Sequence, residues 1–241
     1  VIRFVLITRH PNDCAELQGL LTPCGLTLRP YPVLRLQDID DDAGWGAAAR
    51  VSAAPDASSW LVLASPRAPE RFVRGCRERG IEHLLSLPVA TVGPSTAHAA
   101  GEAGLRVELV GPGNARGLAH RLIDNLKPAS DVVFACGRER RRELPDVLQE
   151  AGHTVFPVEV YRMVPTPPRE LPPLGPSLEA VVLTSPRAAS LYLEGVGGQP
   201  LPCPHWALGT TTQEAASGLG IECCIPKEPS MKSLAEELCT I

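Results

Sequence analysis

The sequence predicts an α/β protein of two similar domains, each a parallel sheet flanked by helices, with one domain inserted in the other. Three observations carry this. A short apolar run that stops at Ser-Pro-Arg occurs twice, as WLVLASPRA at 60–68 and AVVLTSPRA at 180–188. Two further segment pairs follow each copy in the same order. The segments left over also match each other, but stand in swapped order.

Residues 2–35 contain RFVLITR, a helical stretch, and then CGLTLRPYPVLR. This reads as strand, helix, glycine cap, strand. Each Ser-Pro-Arg copy reads as a buried strand whose loop opens a helix, with Pro in the first helical turn and the preceding Ser as cap. Next come VATVGPSTAHAAGEAGL at 89–105 and HWALGTTTQEAASGLGI at 205–221. Each is a short strand, a glycine, a hydroxyl-rich step and an Ala-rich helix closed by Gly104 or Gly220. The third pair, PGNARGLAHRLI at 112–123 and EPSMKSLAEELC at 228–239, reads as a turn into an amphipathic helix. Finally, 131–162 carries DVVFACGR, a helix and AGHTVFPVEVYR, the partner of the N-terminal segment.

Inserting one domain, 37–164, into another built from 1–36 and 165–241 explains the swapped order. The crossings are then 36–44 (LQDIDDDAG) and 163–178 (MVPTPPRELPPLGPSL), polar or Pro-rich as linkers tend to be. Alternating strands and helices imply parallel sheets covered on both faces.

Composition narrows the function. The chain has 241 residues, 44% hydrophobic, with a formal net charge of −4. A nucleic-acid or anionic-membrane partner normally needs a net basic face, so neither is expected. No apolar run is long enough to span a membrane. The opening VIRFVLITR is too short and too quickly polar for a signal peptide, so a cytoplasmic location is expected. The eight cysteines show no C-x-x-C spacing, which argues against structural zinc or a redox pair and for reduced, mostly buried thiols. The six histidines lack H-x-x-x-H spacing, and no metal is expected.

Ligands of open parallel sheets bind beyond the carboxyl ends of the strands. The corresponding loops are Thr8–Arg9, Ser65–Arg67, Gly93–Thr96, Gly137–Arg138, Ser185–Arg187 and Gly209–Thr212. Helix N-termini there would suit anionic groups. Helix capping alone accounts for the same residue types at any single loop. GPGNARG at 111–117 lacks a G-x-G-x-x-G, follows a loop-like run and is weak support for a cofactor. Neither a phosphate-binding P-loop nor a G-x-S-x-G elbow is present.

With VLITR at 5–9, VLASPRA at 62–68, ATVGPSTAHA at 90–99, FPVEVYRMVP at 156–165, VVLTSPRA at 181–188, ALGTTTQEA at 207–215 and PSMKSLAEEL at 229–238, the chain resembles the uroporphyrinogen-III synthase family over nearly its whole length. The resemblance implies two flavodoxin-like domains joined by a two-stranded connector, with substrate in the cleft between them. It implies hydroxymethylbilane as substrate, uroporphyrinogen III as product, no metal or organic cofactor, and a monomer. The reaction is a dehydration that inverts the terminal pyrrole ring. A proton must reach the departing hydroxyl, and the azafulvenium cation must be held so that the inverted ring attacks and the spiro intermediate reopens. That is mainly positioning.

Tyr161 matches a family tyrosine implicated near the leaving group and is the candidate proton donor, the other reading being a half-buried strand residue. Arg67 and Arg187 are candidate carboxylate binders, or surface residues paired with a nearby Glu. Thr96, Thr211 and Thr212 match family positions lining the cleft, and Arg9 a frequent family arginine. Ser65, Gly93, Ser95, Gly137, Arg138, Ser185 and Gly209 complete the candidate substrate-binding set. One departure concerns loop shape: Gly93-Pro94 keeps a frequent family proline that Gly209-Thr210 lacks. The rival readings are a two-domain protein that binds an anionic ligand without chemistry, a regulatory relative, and a nucleotide-dependent transferase that would need a phosphate loop.

Overall fold

The computed structural model describes residues 3–54, 58–140, 142–175 and 177–241. Val1 and Ile2 of the opening run and Pro176 of the second crossing lie outside them. In chain order the elements are β1 (Arg3–Ile7), α1 (Ala15–Leu21), β2 (Leu26–Pro30), β3 (Leu34–Asp38), α2 (Asp42–Ala48), β4 (Ser59–Leu63), α3 (Pro69–Arg79), β5 (Val89–Thr91), α4 (Pro94–Glu102), β6 (Val107–Val110), α5 (Ala115–Ile123), β7 (Asp131–Gly137), α6 (Glu143–Glu150), β8 (Thr154–Pro165), β9 (Leu178–Leu183), α7 (Pro186–Gly195), β10 (His205–Ala207), α8 (Thr210–Ser217), β11 (Cys223–Cys224) and α9 (Met231–Leu238).

The chain divides into two compact units, an outer one of Val1–Arg35 with Val164–Ile241 and an inner one of Leu36–Met163. The outer sheet has the order β11-β10-β9-β1-β2, and the inner one β3-β8-β7-β4-β5-β6. Counted from β1, the outer order is that of flavodoxin-like sheets, 2-1-3-4-5. The inner unit gives the same order if counting starts at β7 and leaves out β3. It is a circularly permuted copy, which is the physical meaning of the swapped segments. The pairs β1/β2, β1/β9, β9/β10 and β10/β11 are parallel, as are β4/β5, β4/β7, β5/β6 and β7/β8.

Both faces of each sheet are buried. In β4, Leu61 and Leu63 join Phe72 and Val133 on one side, and Val62 joins Leu118 and Phe134 on the other. In the outer unit, Val5 and Ile7 face one cluster and Leu6 the other. A strand covered on both faces must be apolar throughout, so these strands read as continuous apolar runs. No helix among the described residues is long and apolar enough to cross a membrane.

Four expectations need correction. The crossing 36–44 is not a loop: it contains the end of β3 and the start of α2. Arg71 pairs with Asp38 at 2.6 Å, Arg74 with the same carboxylate and Arg79 with Asp40. Asp41 caps α2 by accepting from Gly44 N, and its other oxygen accepts from Glu159 N of β8. These partners order a stretch that looks polar enough to be a linker. Second, GPGNARG follows a strand, β6, and Asn114 caps α5 by accepting from Gly117 N at 2.7 Å. Residues of β6 alternate between half-buried and exposed, so it lacks a strong apolar signature.

Third, the Ser-Pro-Arg copies differ. Ser185 caps α7, accepting from Ala188 N at 3.1 Å, with Pro186 in the first turn. In the inner unit α3 starts at Pro69, and Ser65 Oγ accepts from Arg67 N inside the preceding turn. Ser185→Ala is therefore expected to cost the outer unit about 1 kcal/mol and Ser65→Ala less, a contrast readable in urea melts. Fourth, not all thiols are reduced. Cys24 and Cys239 form a disulfide, their Cα atoms 5.5 Å apart across 215 residues of sequence. The bridge joins the turn after α1 to the end of α9, a meeting made by tertiary packing. Cys14, Cys76 and Cys136 are buried free thiols, as expected.

Candidate active site

In the inner unit the strand order reverses between β7 and β4, and ligand crevices of such sheets open at that point. A concavity of about 450 Å³ lies there. Ala64, Ser65 and Arg67 wall it from the end of β4, Val92 from the end of β5, and Gly113, Asn114 and Ala115 from the loop into α5. On the far side stand Cys136, Gly137, Glu139, Arg140, Tyr161 and Met163.

Tyr161 reaches this place through a register slip. Cys136 pairs with Glu159, but Gly137 pairs with Tyr161, so β8 carries one extra residue there. Val160 and Tyr161 consequently pack on the same cluster, where regular alternation would send them to opposite faces. The phenol ring lies over Gly137: a Cβ on that glycine would sit 2.6 Å from Tyr161 Cε2 and 3.1 Å from its hydroxyl oxygen. The Tyr161 hydroxyl has no hydrogen-bond partner among the described residues.

Charges of both signs line the pocket. Glu139 Oε2 accepts from Met163 N at 3.1 Å. Arg140 Nη1 donates to Glu159 Oε1 at 2.5 Å, and Arg138 Nε to Glu159 Oε2 at 2.9 Å. Partial burial would raise the Glu159 carboxyl, but the two guanidinium hydrogen bonds outweigh it and hold it below the ordinary range. Burial pushes the Cys136 thiol up to about 12, so it is a thiol and not a nucleophilic thiolate.

The outer unit has a second concavity of about 490 Å³ beyond β9, β10 and β11, lined by Thr184, Gly209, Thr210, Thr211, Thr212 and Lys227 among others. Gly209 opens α8 at φ −165°, ψ 171°, and Gly93 opens α4 at φ −174°, ψ −178°. The missing proline at Thr210 therefore leaves the backbone of the capping glycine unchanged. At this unit's own strand reversal, Thr8 and Thr184 are knotted together. Their hydroxyls are 3.2 Å apart, Thr184 N donates to Thr8 Oγ1 at 3.1 Å, and Thr8 Oγ1 donates to Val182 O at 3.2 Å.

The inner pocket thus gathers Ser65, Arg67, Gly137 and Tyr161, and the outer one gathers Gly209, Thr211 and Thr212. Thr96 is fully buried with no hydrogen-bond partner for its hydroxyl among the described residues, Ser95 is exposed, and Gly93 caps α4. Arg138 donates to Glu159 and does not line the inner pocket. Arg9 is half-buried, Ser185 is engaged as a cap, and Arg187 is exposed in the first turn of α7. Gly137 ends β7 and is not in a loop. Sequence reasoning missed Gly113, Asn114, Glu139 and Arg140. Only Asn114 carried a usable signal, an N-cap residue ahead of an amphipathic run.

A family model described as uroporphyrinogen-III synthase HemD matches residues 15–236. The chain belongs to the uroporphyrinogen-III synthase family. Members of this family are cyclising lyases of tetrapyrrole biosynthesis. A Methanothermobacter thermautotrophicus protein, provisionally named a uroporphyrinogen-III synthase, is 30% identical over 157 residues, covering 65% of this chain. The match spans 60% of that relative's length. The Helicobacter pylori uroporphyrinogen-III synthetase structure aligns with a TM-score of 0.63 at 15% identity, covering 99% of this chain and 98% of that one. A mutant uroporphyrinogen III synthase from the extremely thermophilic bacterium Thermus thermophilus aligns at 0.55 and 16% identity, covering 98% and 96%. At such identities the two structures establish the shared α/β fold with its two parallel-sheet units.

Proposed function

We propose that this synthase-family chain cyclises hydroxymethylbilane to uroporphyrinogen III with loss of water. The observation that carries the reading is a phenol, Tyr161, without a hydrogen-bond partner among the described residues, over Gly137 in the strand-reversal pocket of the inner unit, with Arg140 on the same side and Arg67 on the opposite wall. The substrate is a flexible polyacid. Backbone N–H groups at helix starts, the hydroxyls of Ser65, Thr211 and Thr212, and the Arg67 guanidinium would bind its carboxylates and hold it folded.

In this reading Tyr161 donates a proton to the departing hydroxyl, which leaves as water. The azafulvenium cation that remains is offset by the Glu139 carboxylate, itself held by Met163 N. The terminal ring attacks, the spiro intermediate reopens, and the proton released as the last pyrrole regains aromaticity restores the phenol. No group in this sequence needs a metal or organic cofactor, and the reading carries with it a cytoplasmic monomer. The test is direct: supply hydroxymethylbilane, oxidise the products and resolve the isomers. Enrichment of type III over the enzyme-free control supports the reading, and type I alone at the spontaneous rate rejects it.

A further inference from the structure

The two units share one sheet order, yet their strand-reversal points are built differently. Val62 pairs with Phe134 in the inner unit and Val182 pairs with Ile7 in the outer one, and these valines are matched residues of the Ser-Pro-Arg repeat. Pro157 pairs with Phe134 and Pro30 with Ile7, which gives the same alignment. Thr8 therefore corresponds to Ala135, and Thr184 to Ala64. The hydroxyls that stitch the outer unit shut are missing from the inner one. There β7 runs on through Cys136 to Gly137, and β8 takes its extra residue where Tyr161 must cross.

Gly137 does not have a left-handed backbone conformation, so conformation does not demand a glycine. Space does. Any side chain at 137 would enter the Tyr161 ring, at 2.6 Å from Cε2 and 2.8 Å from Cζ. We infer that Gly137 is the positioning residue for Tyr161, and that Ala64 and Ala135, standing where the outer unit has its stitching threonines, together with Gly137 make the inner unit the seat of the substrate's reacting end. This rests on the synthase reading above. Gly137 acts through the phenol and touches no substrate itself.

The experiment is a double-mutant cycle on the full chain with hydroxymethylbilane, comparing wild type, Gly137→Ala, Tyr161→Phe and the double variant. Gly137→Ala is expected to lower kcat about 10-fold or more, with KM changed by less than about 3-fold. In the Tyr161→Phe background the same change is expected to cost less than about 2-fold, because the group being positioned is gone. The type III share should fall together with kcat. Independent, multiplying effects would overturn the inference, as would an unchanged kcat in Gly137→Ala, while type III formation by the wild type would leave the synthase reading standing. A wild type that yields only type I overturns both.

Should Gly137→Ala fail to fold, Ala64→Thr narrows the pocket from its opposite wall. A KM raised about 5-fold or more with an unchanged melting temperature supports the inference, and an unchanged KM overturns it. Thr8→Val, which breaks the outer stitch, is expected to lower the melting temperature by a few degrees and leave the isomer ratio as it was. A shifted isomer ratio there would overturn the assignment of the reacting end to the inner unit.

Discussion

Tyr161→Phe is expected to slow turnover by about 10²-fold or less while product affinity stays nearly intact, since a positioned general acid contributes in that range. The ring would keep its place over Gly137 and its packing on the β4/β7/β8 cluster, so only the hydroxyl is lost. That hydroxyl makes no structural hydrogen bond among the described residues, and thermal stability should hardly change. The pattern separates a proton donor from a strand residue at a bulge: the first predicts lost kcat at constant stability, the second no kinetic effect. Residual activity is expected because holding the polyacid folded does not depend on the phenol. Steady-state kinetics with isomer analysis, alongside a thermal melt, checks both halves. Unchanged turnover removes Tyr161 from the mechanism.

Tyr192→Phe is expected to destabilise the outer unit by about 1–3 kcal/mol, because the buried His205 ring loses its partner and the half-buried Leu201 amide its acceptor. Tyr192 is fully buried, its hydroxyl lies 2.8 Å from His205 Nε2, and it accepts from Leu201 N at 3.1 Å. Accepting from Leu201 leaves the phenol proton for a neutral imidazole. Burial lowers the His205 pKa below its ordinary 6.5, opposed by a hydrogen bond with the Cys203 backbone. Burial likewise pushes the phenol up to about 12.

The pH dependence follows. Below about 6.5 the unfolded chain protonates this histidine while the folded one resists, so stability falls with falling pH at up to about 1.4 kcal/mol per unit. Above about 10 the unfolded tyrosine ionises while the folded one does not, and stability falls again with rising pH. Urea melts of the outer unit from pH 5 to 8 should show the acid limb. A flat profile, or a variant as stable as the parent, would mean that water reaches the pair.

The fold was legible because its signals are local. The runs ending in Ser-Pro-Arg, the glycines closing the helices and the Ala-rich stretches each report their own neighbourhood, and their order reports the permutation. Register is not local. Nothing in FPVEVYR announces that Val160 and Tyr161 share a face, or that Gly137 belongs to a strand longer than its counterpart. Arg138 looked like a rim residue, but Glu159, 21 positions on, takes its guanidinium. Asp38 and Asp40 looked like linker acids until three arginines of α3 met them. In the candidate site, Ser65, Arg67, Gly137 and Tyr161 came from the repeat and the family motif. Gly113 and Glu139 joined them through folding alone, with no motif of their own.

The sheet order also sets a schedule for synthesis. β1 sits between β9 and β2, so it is an interior strand that is made before the whole inner unit and gains its second neighbour only after that unit. The inner sheet is complete once residue 165 has emerged. It can form early, while the opening segment waits with an unfilled side. Its apolar surface is exposed for that interval, and shielding β1 and β2 should matter more for yield than any change in the inner unit.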